Sequence, residues 1–587
     1  MAIITGGHSH SKDLVYRFTI PLNTSNIVGL TVLAKALRLS VTFCAHGVAD
    51  VLAALWTAGV PEPLHVWNTE VCERALQLGR NHPDYAASAG KGLAGEIQAR
   101  HDCDVRDRIE LGLGFVCLKH GVSYPFGTEE AGSGRRTGSP HHVAARAAAS
   151  AEVYLPQVAA AASVGLLNHL VQVEMPWTLT VARSSWHGVR ISEDRCRQVL
   201  DAVHCHLPRL RAELRIYGID DVRNHEQLIG FFESQNLLDH FRRGKGFDFN
   251  KDNLKACENK HPAIGKIRAA RRLRDLRGNP VLSAGLASDR EGRVHPRYTV
   301  LGAVSGRLTC KGVNVAGIGK VFRPLVIPAP GYGNGEADYS QIEVGVAGAY
   351  YGDDDLVQLF NSDDVYSAMA KTVYADRLAP DDLALGGLEF KEKFKVFRNK
   401  MKIVTLAIIY GLTPYGLACR LGTTLAEAET LRDLFLARFP VLREALLRSP
   451  AEAAARGYAD SVSGLRRYRP VSGPAAKWEN NWLVNHPVQA SAATVFKTAG
   501  ARLDKLYRSY GARLIVPLHD AFVFEAPLAK LDEVAELTSP VMIDAVIEWF
   551  PQLRPRVEIN IVEPMCWNKD GHADSIDRWV ANPLYTL

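Results

Sequence analysis

The 587-residue sequence lacks most of the features that reveal a chemistry at once. Its ten cysteines are scattered and no CxxC occurs, which leaves neither a zinc ribbon nor a disulfide framework to build on. His204-Cys205-His206 is the one metal-like cluster, and neighbouring side chains diverge in regular structure, so the spacing argues against a shared metal. No apolar run reaches the roughly 18 residues of a membrane helix. The first residues, MAIITGGHSHSKDLVYR, lack the basic-then-apolar order of a secretory signal. An intracellular protein that does not enter a membrane is the simplest reading. No GxxxxGK[ST] loop is available for phosphates. Internal repeats and low-complexity tracts are also missing.

Length implies several sub-domains, and 47% hydrophobic with 22% charged residues describes an ordinary globular chain. The net charge of +6 is a weak signal, but its distribution is uneven. Residues 242–277 hold twelve Lys or Arg against four Asp or Glu, and FKEKFKVFRNKMK at 390–402 forms a second basic, aromatic-bearing run. Such stretches suit a phosphate-rich partner, although either one alone also suits a solvated helix face. Residues 28–60 read as a small α/β unit, and 143–181 as helices. In SSWHGVRISEDRCRQVL, Ser192 is placed to cap a long helix with acids in its first turn. A boundary near 175–190 follows.

Three later segments carry the chemistry. EADYSQIEVGVAGAY, residues 336–350, puts Asp338 and Glu343 into a run otherwise composed for burial. An isolated buried carboxylate is costly unless it is paired, hydrogen-bonded or bound to a metal. RNKMKIVTLAIIYGLTPYGL, residues 398–417, sets Arg398, Lys402 and Leu406 four apart on one helix face that drifts toward Tyr410. Two cations followed by an aromatic suit a triphosphate at one end and a base at the other. RLIVPLHDAFVFEAP, residues 513–527, brackets His519-Asp520 between strand-like runs, as a hairpin delivers a polar pair to its tip. Should Asp338 and Asp520 meet, they would hold a pair of Mg²⁺ ions for in-line displacement at phosphorus, with Lys402 and Arg398 gripping the triphosphate. Taken singly, each segment has a plainer reading: a cap at Asp338, a solvated face at Arg398 and Lys402, a common turn at His519-Asp520.

Together and in this order, ADYSQIE, RNKMKIVTLAIIYG and the HD turn resemble motifs A, B and C of family A DNA polymerases, the bacterial DNA polymerase I type. VSGRLT at 304–309, FRPLVIPAPGY before motif A and NHPVQASAATVFKTA at 485–499 extend the resemblance over roughly 185–587. It implies an α/β (α+β) right-hand polymerase with palm, fingers and thumb, and an N-terminal exonuclease-like α/β domain. The expected division is 1–180 for a degenerate 3′–5′ exonuclease-like domain and 181–297 for thumb and connecting helices. Residues 298–362 would form the first part of the palm, 363–445 the fingers and 446–587 the second part of the palm.

Carried over by residue, the resemblance makes Asp338 and Asp520 the metal ligands, assisted by the Tyr339 backbone carbonyl, with two Mg²⁺ ions and Mn²⁺ as a substitute. Lys402 joins the catalytic set. Arg398, Lys402, Leu406, Tyr410, Glu343 and Gln341 form the deoxynucleotide site, where Glu343 gates against a ribose 2′-hydroxyl. Arg307, Asn485, Gln489 and His519 would touch primer–template DNA. The implied activity is DNA-templated, primer-dependent addition of deoxynucleotides with pyrophosphate release, in replication or repair, by a monomer in the bacterial cytoplasm or nucleoid, or by a phage or mobile-element protein acting there. Departures stand at Ala521 (Glu in the family's HDE), Leu406 (Phe or Tyr), Asn481 (Arg) and Tyr366 (His). They motivate an alternative, a DNA-binding factor with weakened or no catalysis; a single-subunit RNA polymerase is a third, opposed by Glu343.

The N-terminal resemblance is to the family's 3′–5′ exonuclease domain. AHGVADVLAAL, 45–55, is similar to its HNxxxD helix with His46 for Asn and Asp50 kept, and WNTEVCERAL, 67–76, to its DT segment. Its YxxxD motif aligns with Arg146 and Ser150, and no opening DxE is found before His46. A scaffold that has lost proofreading is expected, since such chemistry needs its own carboxylate cluster.

Overall fold

The structure is a computed structural model that describes residues 2–5, 16–19, 42–80, 112–124, 140–243, 246–469, 471–561, 564–568 and 572–583. Residues 6–15 and 20–41, part of the stretch in which an opening DxE motif was sought, lie outside the described residues, as does Lys245 of the basic run.

A four-stranded antiparallel sheet lies at the centre, in the order Arg513–Pro517, Ala521–Pro527, Tyr332–Ser340, Arg556–Asn560. The hairpin is closed by Leu518 N donating to Ala521 O at 2.8 Å, which leaves His519 and Asp520 exposed at its tip. Behind the sheet run the helices Asn480–Ser509 and Leu531–Trp549. Tyr339 turns its hydroxyl to Met542 O at 2.7 Å, and Phe522 stacks on Phe496 with ring centroids 4.1 Å apart. The opposite face, which carries Asp338, therefore looks away from these helices.

Helices inserted between the first and second sheet strands, among them Val365–Val373, Gly387–Lys393, Lys395–Ile409 and Leu425–Arg438, bury Phe390, Met401 and Phe435. The basic run at 390–402 is broken at Phe394, so the motif B helix starts at Lys395. Before the sheet, Glu193–Arg215 begins at Ser192, whose side chain accepts from Arg195 N at 3.3 Å, with Glu193 and Asp194 in the first turn. It packs on Pro262–Arg277 around a second core that includes Leu207, Phe232 and Leu273. His204, Cys205 and His206 ride on the outer part of this helix, with the first two exposed. No helix among the described residues is long and apolar enough to cross a membrane.

The N-terminal part holds a parallel pair, Thr42–Ala45 with His65–Asn68, joined through the helix Val48–Thr57. Its core is continuous with that of the sheet: Trp67, Met175 and Trp177 share one buried cluster with Tyr339, Phe496 and Phe522. The connecting chain is helical throughout, with a π-helical turn at Leu170–Glu174 followed by Met175–His187, so residue 180 falls inside a helix. The wider turn delivers Glu174, fully buried, to Lys497 and to His169 Nε2 at 2.9 Å. Arg183 bonds both Glu62 and Asp504, the latter at 3.1 Å.

One glycine makes this junction possible. A Cβ at Gly500 would lie 2.3 Å from Trp177 and 2.9 Å from Phe522. Gly500→Ala should therefore cost about 1–3 kcal/mol through overpacking, in spite of the ~1 kcal/mol that alanine gains in a helix. Urea unfolding followed by tryptophan fluorescence measures this, and an unchanged or raised midpoint would contradict the close approach.

Candidate active site

Sheet register brings the two sequence-predicted aspartates together. Asp338 stands opposite Ala521, and the backbone N–H of Tyr339 donates to the carbonyl of Asp520 at 3.0 Å. Asp520, in the turn just before the strand Ala521–Pro527, thus neighbours Asp338 on the adjoining strand. Asp338 does not cap the following helix. That place is taken by Gln341, in the left-handed region with φ +57°, which ends the strand at Ser340 and starts the helix Ile342–Tyr351. The turn costs backbone strain, and the Gln341 side chain offsets part of it: its amide donates to Asp364 at 2.7 Å and its oxygen accepts from Val365 N at 3.1 Å.

Glu343, in the first turn of that helix, is gripped from two sides. Arg307 forms an ion pair with one carboxylate oxygen and the Tyr410 hydroxyl donates to the other. Burial lowers the Arg307 pKa, and the nearby Asp520 carboxylate partly restores it. His519 is lowered as well, by desolvation against the site and then by the Arg307 charge. Arg307 thus links the proposed gate to the hairpin tip.

The motif B helix shows a sharper division than its four-residue spacing implies. Lys402 is exposed, while Leu406 and Tyr410 are half-buried. Arg398 is buried and engaged: its Nη2 donates to Asp364 Oδ2 at 2.7 Å, its Nε to Oδ1 at 3.2 Å, and its guanidinium lies 5.2 Å from the Tyr366 ring centre. Asp364 also caps Val365–Val373 by accepting from Ser367 N at 2.7 Å. Burial, foremost, pushes the Tyr366 phenol up. Arg398, expected to bind the triphosphate, is thus already paired with Asp364 through Nε and Nη2.

The long helix Asn480–Ser509 contributes a polar seam. Between 481 and 490 only Asn481, Asn485 and Gln489 are partly exposed, each four residues from the next; the other seven positions are buried. Asn485 and Gln489 thus share one accessible stripe with Asn481. Further out, a cavity of about 1040 Å³ among the helices of the basic run is lined by Arg223, Lys251, Lys255, Arg268, Arg271 and Arg272, with Glu258 and Asp275 on its wall. Part of that basic charge is spent internally. Arg268 pairs with Glu258, Lys266 with Glu213 at 2.6 Å, and Arg271 donates to the carbonyls of Val222 and Phe249.

At the N-terminal site the groups singled out from sequence have local duties. Asn68 caps the helix Thr69–Gln77, Thr69 meets His46 Nδ1 at 2.9 Å, Glu70 pairs with Arg74, and Asp50 is exposed. Ser150 accepts the Cys44 thiol on its carbonyl at 2.9 Å. Glu73, overlooked in the sequence, is fully buried; burial would raise its carboxyl, but hydrogen bonds from His120, Lys119 and Gln77 hold it at about 2. Among the described residues no group of three or more His, Cys, Asp or Glu is placed to hold a metal ion.

Comparison with known proteins agrees with the geometry of the sheet. The family described as DNA polymerase family A matches residues 219–563, more than half of the chain. The chain belongs to DNA polymerase family A. The DNA polymerase I of Chloroflexus aurantiacus is 27% identical over 397 residues, 63% of this chain and 40% of that protein. That of Deinococcus radiodurans is 26% identical over 395 residues, 64% and 40% of the two. The thermostable DNA polymerase I of Thermus aquaticus is 27% identical over 391 residues, 63% and 45%. The chain thus spans less than half the length of these curated relatives. Among solved structures, the POL domain of Pol1 from M. smegmatis, in complex with DNA primer-template and dNTP, matches with a TM-score of 0.74 at 20% identity, over 92% of this chain and 89% of that one. The fold is the right-hand architecture of family A.

Two acidic residues next to the predicted site residues were missed in the sequence. Asp364 stands beside Tyr366 in DDVYSAMA, and an acid following another acid at a helix start is a capping signal that was available. Glu558 lies on the edge strand, where no motif marks it. The Arg307–Glu343 pair, with side chains 22% and 13% exposed, should show a coupling energy of about 1–3 kcal/mol in a double-mutant cycle of Arg307→Met and Glu343→Gln. Denaturant unfolding of the four proteins measures it, and additive effects would dissolve the latch.

Proposed function

We propose that the protein is a DNA-templated, primer-dependent DNA polymerase that adds deoxynucleotides by nucleotidyl transfer and releases pyrophosphate. The observation that carries this reading is the juxtaposition of Asp338, on its strand, with Asp520, in the adjoining hairpin turn, near a helix that exposes Lys402 and is tied to the same region through Arg398–Asp364 and Tyr410–Glu343. Hard oxygen donors from two carboxylates, with the Tyr339 backbone beside them, fit Mg²⁺, or Mn²⁺ in its place. Bound there as a pair, such ions would activate the primer 3′-hydroxyl and neutralise the departing pyrophosphate. Asp338 and Asp520 hold them, Lys402 meets the triphosphate and is the proton donor to pyrophosphate, and Arg398 adds its charge once the triphosphate displaces Asp364. Glu343 stands where the sugar would enter, held by Arg307 and Tyr410, which supports a gate against the 2′-hydroxyl. The stripe Asn481, Asn485, Gln489 and the basic helices of 242–277 suit the DNA backbone and groove, with salt-sensitive, sequence-independent affinity.

The domain division given above is proposed unchanged, with 181–297 as thumb, 298–362 and 446–587 as palm, 363–445 as fingers and 1–180 as an exonuclease-like unit without proofreading. In this reading the protein acts on DNA in the bacterial cytoplasm as a monomer, in replication or repair; its similarity to bacterial DNA polymerase I proteins supports the action on DNA. Ala521 is the observation that favours the second reading, a DNA-binding factor with weakened catalysis, because it faces Asp338 with a methyl group.

A primer-extension assay with Mg²⁺ tests the reading. The unaltered protein should extend, whereas Asp338→Ala and Asp520→Ala should lose at least ~10³-fold in rate while retaining DNA affinity. Retained binding without extension by the unaltered protein would favour the factor, and substantial activity of either variant would overturn the metal assignment. Matched and mismatched 3′ ends incubated without nucleotides should stay intact; Mg²⁺-dependent trimming that Asp50→Ala abolishes would restore an exonuclease.

A further inference from the structure

Asp338 has two cross-strand neighbours. On the hairpin side it is Ala521; on the edge-strand side it is Glu558. Directly opposed residues of antiparallel strands place their side chains on the same face, roughly 5 Å apart at Cβ. That face is the one turned away from Met542 and the long helices, since Tyr339 occupies the other. The three residues Ala521, Asp338 and Glu558 therefore form a row across the cleft side of the sheet. A methyl group at Ala521, 2% exposed, offers no donor at one end of the row. Glu558, with a side chain 43% exposed, offers a carboxylate at the other.

We infer that Glu558 is a positioning residue of this site, supplying from the edge strand a carboxylate that shapes the hydration shell of a divalent cation held at Asp338. The inference rests on the polymerase reading for the cation's purpose, but not for its geometry. Glu558 is not a ready-made third ligand: among the described residues no three carboxylates converge. It acts on waters instead, which suits Mg²⁺, an ion that keeps several of its own. One of its partners is Lys391 Nζ at 3.5 Å, on the helix Gly387–Lys393. Both side chains are more than one-third exposed, so this pair is weak and readily exchanged. Release of Lys391 as the fingers take up a nucleotide would turn Glu558 toward Asp338.

The plainer reading is a surface ion pair that joins palm and fingers. It predicts the same phenotype for Glu558→Gln and Lys391→Met, because either breaks the pair. The inference predicts opposite ones. Mn²⁺ binding to the full chain, with a dideoxy-terminated primer–template and a matching deoxynucleotide, reads the difference through the electron paramagnetic resonance signal of free Mn²⁺ without any turnover. Glu558→Gln should weaken Mn²⁺ binding about 10-fold, in the range of outer-shell substitutions. Lys391→Met should leave it equal or tighter, and Ala521→Glu in the Glu558→Gln background should restore it. Unchanged affinity in Glu558→Gln, or weakening by Lys391→Met to the same degree, overturns the assignment of Glu558. Absence of extension by the unaltered protein would instead count against the polymerase reading, so the two failures are told apart.

Discussion

The pairing of Tyr332–Ser340 with Ala521–Pro527 forces two carboxylates into one small volume. Like charges set side by side repel, although water at the exposed Asp520 screens part of it. The register that imposes this is fixed from behind. On the rear face Tyr339 reaches Met542 and Phe522 stacks on Phe496 of the long helix, and a one-residue slip of either strand would turn its aromatic to the opposite face. The register is thus determined by the core, and the carboxylates follow. Arg307 relieves part of the repulsion from above, which explains why a cation remains at this depth although burial works against its charge.

Around this strained pair the cleft keeps its other charges balanced in exchangeable couples. Arg398 is held by Asp364, Arg307 by Glu343, and Lys391 by Glu558. The couples differ in depth. Arg398–Asp364 has side chains 11% and 8% exposed, so breaking it without replacement is strongly destabilising, and only a dense anion can take over the arginine. Lys391–Glu558 is open to water and exchanges at little cost. A triphosphate, carrying several charges, suits the first exchange; a single cation shell suits the second.

Local chemistry was the legible part of the sequence. The hairpin around His519-Asp520, the cap at Ser192 and the motif B helix all depend on neighbours a few residues away, and each was readable from spacing. The meeting of Asp338 with Asp520 was reached by analogy of motifs, because a register between distant strands leaves no periodic trace. Partner choice was the illegible part. Arg398 has the spacing of a solvent-facing cation, yet Asp364, which a helix cap had already placed beside it, draws it inward. The basic run of 242–277 likewise reads as free charge, whereas Arg271 is consumed by two carbonyl groups that no pattern advertises. Glu558 escaped because an edge strand of alternating residues looks the same whether it borders solvent or a catalytic face.

In the N-terminal unit the groups singled out from the sequence satisfy one another, Asn68 at a helix cap and Thr69 on His46. What holds the unit in place lies elsewhere. Trp177 seats against Gly500 and Phe496 on the helix that backs the sheet, and Glu174 reaches Lys497 on the same helix through a π-helical turn. Removing the unit would bare Lys497 and the aromatic surface behind Phe522, and breaking one partner of a buried ion pair alone costs about 3–5 kcal/mol. Phe522 belongs to the strand that positions Asp520. The unit is therefore part of the wall against which the hairpin bearing Asp520 is packed, and burial of Trp177 and Glu174 ties it to the rest of the chain.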